Sequence, residues 1–211
     1  MGRWEPGAAG RLHEAAMELY VERGFEQTTV AEIAQRAGVT ARTFFRHYAD
    51  KREVLFGGSE YLLAELSRAL GTAPDGATPM EAVAIVLDAV AELLGTDREH
   101  SRRRQSIIDL NAELRERELI KMSRLAGALA GGLRDRGVAE PEATLAAEAG
   151  MVVLRVGFRR WVDSADAVDL RGEMRSALTA LRTTVTDQPA SRKPDQPTSR
   201  KPDQPASRKP D

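Results

Sequence analysis

The sequence predicts an all-α fold of about nine helices. Apolar residues recur at helical spacing along most of the chain, for example at Val83, Val86 and Val90. Two threonine–glutamate pairs have the spacing of a capping box, in which each side chain binds a free backbone N–H group at a helix start. These pairs are Thr29 with Glu32 and Thr78 with Glu81. Glycines follow several apolar patterns, which indicates helix ends because glycine adopts a positive φ without strain.

The composition is that of a globular protein without cysteine chemistry. Of the 211 residues, 42% are hydrophobic and 30% are charged, as in ordinary soluble domains. The absence of cysteine excludes disulfides, thiolate catalysis and cysteine-ligated zinc. The net charge of −1 gives no overall attraction for nucleic acid. No apolar run reaches the length of a membrane span, and Met1 to Gly10 lack the apolar core of a signal peptide, so we expect a cytoplasmic protein.

The first helix is predicted from Arg11 to Arg23, because apolar residues keep helical spacing until Gly24. Residues 28–48 then form a helix, a glycine turn and a second helix. Thr29 starts the first of these helices, Gly38 ends it, and Thr40 caps the next. At about 100° per residue, the last helix has a core face and an outward face. The core face holds Ala41, Phe44 and Tyr48, and the outward face holds Arg42, Thr43, Arg46 and His47.

The outward residues are of the types that contact bases and phosphates in a major groove. Between residues 36 and 52, five basic residues accompany one acidic residue, which gives a local positive patch on a nearly neutral chain. The later helices begin at capping or proline positions and end near glycines or loops. Their predicted starts are Asp50, Thr78, the run Thr96-Asp97-Arg98-Glu99, Asn111, Pro141 and Leu170.

Several short motifs together resemble the helix-turn-helix of the TetR family of transcriptional regulators, over roughly Arg11 to Leu55. They are Thr28-Thr29, Ile33-Ala34, Ala37-Gly38-Val39, Phe44-Phe45-Arg46-His47-Tyr48 and Asp50-Lys51. Two positions depart from the family pattern. Phe45 stands where the family usually has a tyrosine whose hydroxyl reaches a phosphate, and Arg42 stands where a small residue is common.

The resemblance implies a ligand-responsive, sequence-specific DNA-binding regulator. A small-molecule effector would release such a repressor from its operator, although activation stays open. Two recognition helices of a homodimer would lie about 34 Å apart on double-stranded DNA. The expected DNA contacts are Thr28, Thr29, Thr40, Ala41, Arg42, Thr43, Phe45, Arg46, His47 and Lys51.

We predict three segments. Residues 1–56 form the helix-turn-helix DNA-binding domain, and residues 57–186 form the helical ligand-binding and dimerisation domain. Gly57-Gly58 marks a joint between them, since paired glycines weaken a helix. Residues 187–211 repeat an octapeptide rich in proline and charge, a composition typical of disorder.

The second segment should hold the effector and the dimer interface. The resemblance implies a pocket, for which the candidates on the middle helices are Val86, Val90, Ile107, Met122, Leu125 and Phe158. Small apolar faces on the last two helices suggest an isologous four-helix bundle between two subunits. The residues predicted for that interface are Gly150, Val153, Gly157, Ala177, Leu178 and Leu181.

The sequence leaves two other functions open. A helical ligand-binding or interaction protein without DNA binding is the main alternative, but the polar residues grouped on one outward face argue against it. An enzyme is the third possibility, yet His13, His47 and His100 are scattered and no catalytic motif occurs. We therefore expect no catalytic residue, metal or cofactor. The run Arg102-Arg103-Arg104 is read as a solvated helix face rather than a second nucleic-acid patch, because no aromatic residues interleave.

Overall fold

A computed structural model describes residues 7–186 of the chain, and the repeat tail predicted for residues 187–211 lies outside them. The described residues contain nine α-helices, one 3-10 helix and no β-strand, so the all-α prediction is confirmed. The α-helices are α1 (Ala8–Arg23), α2 (Val30–Arg36), α3 (Ala41–His47), α4 (Ser59–Gly71), α5 (Pro79–Leu94), α6 (Arg98–Leu110), α7 (Ala112–Asp135), α8 (Glu142–Asp163) and α9 (Leu170–Val185). The 3-10 helix is Glu53–Phe56. Over residues 7–186, no helix is both long and apolar enough to span a membrane.

The helix starts follow the local sequence. Both capping boxes form: the Thr29 hydroxyl accepts from the backbone N–H of Glu32, and Thr78 and Glu81 make the equivalent contacts at the start of α5. Thr40 caps α3 by accepting from the backbone N–H of Thr43. Gly38 has a φ of +66°, a conformation that glycine adopts without strain, and it lies in the turn between α2 and α3.

The fourth helix is shorter than the sequence suggested. The stretch from Asp50 to Leu70 divides at Gly57-Gly58 into the 3-10 helix and α4. The Asp50 carboxylate starts the 3-10 helix by accepting from the backbone N–H groups of Arg52 and Glu53, at 2.8 and 3.1 Å. We call residues 7–56 the head and residues 57–186 the body.

The described residues build two hydrophobic cores. One core joins α1, α2, α3 and the 3-10 helix, and the other joins α4, α5, α7, α8 and α9. Three body residues, Ile107 and Ile108 of α6 and Leu114 of α7, belong to the head core. The domain boundary between residues 56 and 57 stays a prediction, and α6 packs across it.

The residues predicted for the dimer interface lie inside a single protomer instead. A Cβ atom on Gly157 would approach the Met174 Cα to 2.9 Å, so α8 and α9 of one chain are in close contact there. A Cβ atom on Gly150 would lie 2.8 Å from Val83 Cγ1 of α5. Val153, Ala177 and Leu178 are buried in the body core, and Leu181 packs against it. Small residues do indicate a close helix approach, but the neighbour is a helix of the same chain.

A different face of α8 is apolar and exposed. Leu145, Val152 and Val156 are 65%, 38% and 41% exposed, and Ala149 is partly buried between them. These residues lie four, three and four positions apart, which places them on one side of the helix. The body therefore presents an outward apolar stripe of Leu145, Ala149, Val152 and Val156.

Candidate nucleic-acid interface and effector cavity

Helix α3 is held against the head by its apolar side. Phe44 is fully buried, and its ring packs edge-on to Phe45 and tilted against Tyr48, with ring centroids 5.4 and 5.7 Å apart. The Tyr48 hydroxyl donates to the backbone carbonyl of Ala9 at 3.1 Å, which ties the end of α3 to α1. A short helix of seven residues would be marginal alone, so this packing sets its orientation.

The opposite side of α3 projects from the head. Ala41, Arg42, Arg46 and His47 are exposed, and Phe45 is 59% exposed. The Thr40 and Thr43 hydroxyls, near the helix start, are 3.1 Å apart and within hydrogen-bond distance. Ala41 therefore leaves the core face on which the sequence placed it. Arg42 and Arg46 make no hydrogen bond or ion pair with any other residue between 7 and 186, so their guanidinium donors remain available.

Two of the predicted DNA contacts have structural roles. Thr28 is 1% exposed, and its hydroxyl donates to the backbone carbonyls of Gly24 and Leu19 at 2.9 and 3.3 Å. The Lys51 ammonium donates to the backbone carbonyls of Phe25, Glu26 and Thr28 at 2.9, 3.2 and 3.0 Å. A lysine has three N–H donors, and here all three close the turn between α1 and α2. The side chains of Thr28 and Lys51 are therefore engaged within the head, and their contact with DNA stays a prediction.

Thr29 has a structural role in the head and is also exposed, so it can still contact DNA. It is exposed at the start of α2, and its hydroxyl lies 2.8 Å from the Glu32 carboxylate in the capping box. Backbone and side-chain hydrogen bonds from Thr29 hold the pKa of Glu32 below its usual range. The capping box therefore stabilises the ionised form of the Glu32 carboxylate.

Most of the basic residues near α3 are paired within the protein. Arg36 of α2 binds the carboxylates of Glu18 and Glu22 on α1, at 3.1 and 2.8 Å. Arg52 binds Asp50 at 2.7 Å and Glu113 of α7 at 3.4 Å. Of the five basic residues counted between positions 36 and 52, only Arg42 and Arg46 lack a partner among residues 7–186. The unpaired positive charge of this region is thus concentrated on the outward face of α3.

A cavity of about 530 Å³ lies in the body and extends to the head. Its apolar walls come from α4, α5, α7 and α8, α6 contributes polar side chains, and the head contributes His13, Leu55 and Phe56. Among the predicted pocket residues, Met122, Leu125 and Phe158 line it. Val86 and Val90 instead fill the body core, and Ile107 belongs to the head core. The lining residues that the sequence did not single out include Tyr61, Leu62, Leu93, Leu94, Leu119 and Leu154.

Charged side chains surround part of this cavity, and most are paired. Arg104 donates to the backbone carbonyl of Leu55 at 2.8 Å and lies 3.4 Å from the Glu118 carboxylate. Burial lowers the pKa of Arg104, and Glu118 opposes that shift. Arg159 binds Asp109 at 2.6 Å and holds the pKa of that carboxyl below its usual range. Arg155 also lines the cavity, and it makes no hydrogen bond or ion pair within residues 7–186.

Polar contacts join the cavity wall to the 3-10 helix of the head. Arg117 and Lys121 of α7 bind the Glu53 carboxylate, the latter at 3.2 Å. Lys121 also lies 5.7 Å from the centre of the Phe56 ring. A molecule bound in the cavity would therefore contact Lys121 and Phe56, which join α7 of the body to the 3-10 helix of the head.

Comparison with known proteins agrees with this architecture. A family profile described as bacterial regulatory proteins, tetR family, matches residues 12–56. The transcriptional regulator TcmR of Streptomyces glaucescens is 37% identical over 93 residues, which are 41% of each protein. The chain thus spans less than half the length of the curated relatives it matches.

Solved structures of transcriptional regulators resemble a larger part of the chain. Thermus thermophilus FadR, a TetR-family repressor in complex with lauroyl-CoA, is 27% identical with a TM-score of 0.54, covering 87% of this chain and 98% of that one. Bacillus subtilis FadR in complex with stearoyl-CoA is 25% identical with a TM-score of 0.55, covering 82% and 96%. The similarity therefore includes the body as well as the head.

Proposed function

The chain belongs to the TetR family of bacterial regulatory proteins, and we propose that it is a sequence-specific transcriptional regulator, a repressor that a small-molecule effector releases from its operator. The observation that carries this proposal is the outward face of α3. Arg42 and Arg46 project there without a partner among residues 7–186, on a helix that Phe44 anchors to the head. An α-helix of this kind fits the major groove of DNA.

The proposed DNA contacts lie on α3 and at the starts of α2 and α3. Arg42 and Arg46 would bind base edges, since a guanidinium makes two hydrogen bonds to guanine. Thr29, Thr40, Thr43 and His47 would bind phosphates or bases, and Ala41 and Phe45 would make apolar contacts. Phe45 lacks a hydroxyl, so it would pack against sugar or a thymine methyl group rather than donate to a phosphate.

We propose an effector with an apolar body and an anionic group. The exposed surface of the cavity walls is mainly apolar, and Arg155 offers an unpaired cation among the described residues. The acyl-CoA molecules in the two FadR structures have this chemistry. The effector would favour release if it bound the DNA-incompetent arrangement more tightly, with a coupling free energy of about 1–3 kcal/mol. An effector in the cavity would contact Leu55 and Phe56, which belong to the head, so its binding would act on the head directly.

We further propose that the protein is a homodimer. The exposed stripe of Leu145, Ala149, Val152 and Val156 replaces the buried residues that the sequence suggested. Two copies of this stripe related by a two-fold axis would bury each other, and two heads would then reach two half-sites. We expect such a regulator to act in the cytoplasm, where it meets DNA.

A footprint on the DNA upstream of its own gene tests the proposed function. The full chain should protect two related half-sites whose centres lie one helical turn apart, about 34 Å, or a multiple of that distance. An acyl-CoA added to the complex should reduce protection if the effector class is right. Binding that is equal on unrelated DNA and vanishes with modest salt would contradict sequence-specific regulation.

The dimer has a separate test. Val152→Arg should yield a folded monomer, because a charge would face its symmetry mate in an apolar contact. Val21→Arg is the matched control, since Val21 is an exposed valine on α1, 59% exposed. Sedimentation velocity at micromolar concentration should show a monomer for the first variant and a dimer for the second. A dimeric Val152→Arg protein would exclude the α8 stripe as the interface.

A further inference from the structure

Two imidazole rings meet where the head packs on the body. His13 of α1 and His100 of α6 are separated by 87 positions, and their Nε2 atoms lie 3.0 Å apart. The ring centroids are 5.0 Å apart with an interplanar angle of 37°. Both side chains are half-buried, and both line the cavity.

The hydrogen bonds of His13 determine which ring nitrogen carries the proton and which carries the lone pair. Its Nδ1 lies 2.9 Å from the backbone carbonyl of Val54. A carbonyl oxygen only accepts, so the proton of the neutral ring sits on Nδ1. The Nε2 lone pair of His13 then points at Nε2 of His100. Metal-ligating histidines commonly have this arrangement, in which the second ring nitrogen donates to a carbonyl and fixes the ring.

A carboxylate completes a possible ligand set. One ligand atom each from His13, Glu14 and His100 can be chosen so that all lie within 4.8 Å of one another. Two imidazoles and a carboxylate suit Zn²⁺ and its first-row neighbours. With metal–nitrogen bonds of about 2.0–2.1 Å, two nitrogens lie roughly 2.9 Å apart at a right angle and about 3.3 Å apart at the tetrahedral angle. The observed spacing of 3.0 Å needs a shift of only a few tenths of an ångström.

The neighbouring charges are compatible with a cation. Arg104 is the nearby positive group, but its guanidinium is bound to the Leu55 carbonyl and to the Glu118 carboxylate. His100 is positioned by the start of α6, where the Asp97 carboxylate accepts from its backbone N–H at 2.9 Å. The His13 ring is therefore held by the Val54 carbonyl, and the backbone of His100 is fixed by the cap of α6.

We propose that His13, Glu14 and His100 form a binding site for one divalent transition-metal ion, best suited to Zn²⁺, that links α1 of the head to α6 of the body. The remaining coordination positions would open to the cavity that both histidines line, where water or a donor atom of a bound molecule would occupy them. The expectation of no metal rested on local spacing in the sequence, and the fold brings together residues that local spacing keeps apart.

Metal binding to the full chain is the test. After chelator treatment, titration with Zn²⁺ should show one ion per chain by calorimetry. Co²⁺ should give the visible absorption of a site with nitrogen and oxygen ligands. His100→Phe keeps an aromatic ring and removes a ligand, and Glu14→Gln keeps the size and removes the charge. Each should weaken Zn²⁺ binding by about tenfold or more, with helix content unchanged by circular dichroism.

His47→Phe is the matched control, because His47 is an exposed histidine on α3 outside the cluster. Its Zn²⁺ affinity should equal that of the unaltered chain. The proposal is overturned if the chain binds no Zn²⁺ at micromolar concentration, if His100→Phe binds as tightly as the unaltered chain, or if His47→Phe loses the ion. No DNA is present in these measurements, so their outcome is independent of the proposed regulator function.

Discussion

Arginines on α3 and on α6 have opposite surroundings. Arg42 and Arg46 of α3 extend from the head with no partner among residues 7–186. Arg102 of α6 donates to the carbonyls of Val162 and Ser164 at 2.7 and 3.0 Å, and Arg104 donates to that of Leu55. An arginine whose donors are bound to the backbone of other elements holds the fold together. An arginine whose donors are unmet is free to bind an external acceptor such as DNA.

This contrast revises the interpretation of the run at 102–104. The sequence suggested a solvated face, and that description holds for Arg103, which is exposed and makes no side-chain hydrogen bond or ion pair with residues 7–186. Arg102 and Arg104 instead attach α6 to the end of α8 and to the 3-10 helix. Arg103 therefore serves as a matched control for arginines of both kinds.

The largest stability effect is expected at Arg104. Arg104→Met should lower the free energy of unfolding by about 3 kcal/mol, because the Glu118 carboxylate and the Leu55 carbonyl would lose a largely buried partner. Arg103→Met should change it by less than about 0.5 kcal/mol. Urea unfolding of the two variants gives the comparison. Equal effects would mean that Arg104 contributes no more to the fold than a surface arginine.

Lys51 extends the comparison to a lysine of the head. Lys51→Met removes three hydrogen bonds and the ammonium that lies 4.4 Å from the centre of the Phe25 ring, so we expect a loss of about 2 kcal/mol in unfolding free energy. The salt dependence of DNA binding should stay the same, since Lys51 releases no counterion from DNA. A smaller salt slope at unchanged stability would restore the role of Lys51 as a phosphate contact.

Arg46 should contribute to DNA binding rather than to stability. Arg46→Ala should weaken binding to the operator by about 1–3 kcal/mol and change the unfolding free energy by less than about 0.5 kcal/mol. Arg42→Ala should behave in the same way, and Arg103→Ala should leave both quantities unaltered. Fluorescence anisotropy with operator and scrambled DNA measures the affinities. If both α3 variants bind the operator as tightly as the unaltered chain, α3 is not the recognition helix.

The elements that depend on local sequence could be predicted. Capping boxes at Thr29 and Thr78, and the turn at Gly38, depend on residues within a few positions of each other, and the structure has all three. A joint at Gly57-Gly58 was also predicted from local sequence, because paired glycines weaken a helix. Helix existence and the outward face of α3 therefore followed from spacing alone.

Features set by tertiary packing could not be predicted. Gly157 indicated that another helix packs closely against α8. The local sequence does not show whether that helix is α9 of the same chain or belongs to a second subunit. The valines of α5 are apolar on a helix that is covered on several sides, so the pattern could not separate core from cavity. The His13–His100 contact and the carbonyl partners of Lys51 join residues that are distant in sequence.

The smallest predicted effect compares one capping box in the head with one in the body. In both, the threonine hydroxyl lies 2.8 Å from the glutamate carboxylate three positions on, and hydrogen bonds from the threonine hold the pKa of Glu32 and Glu81 below their usual range. Thr29→Ala and Thr78→Ala should therefore each lower the unfolding free energy by about 1 kcal/mol.

Only Thr29 lies beside the recognition helix, so only Thr29→Ala should also weaken operator binding at concentrations where the chain is fully folded. Because both variants should lose the same stability, a difference in operator binding between them would not be caused by instability. If both bind the operator equally well, the Thr29 hydroxyl serves the cap alone, and direct contact with DNA is confined to α3. If Thr78→Ala weakens binding as much, the effect reaches DNA through the body rather than through the interface.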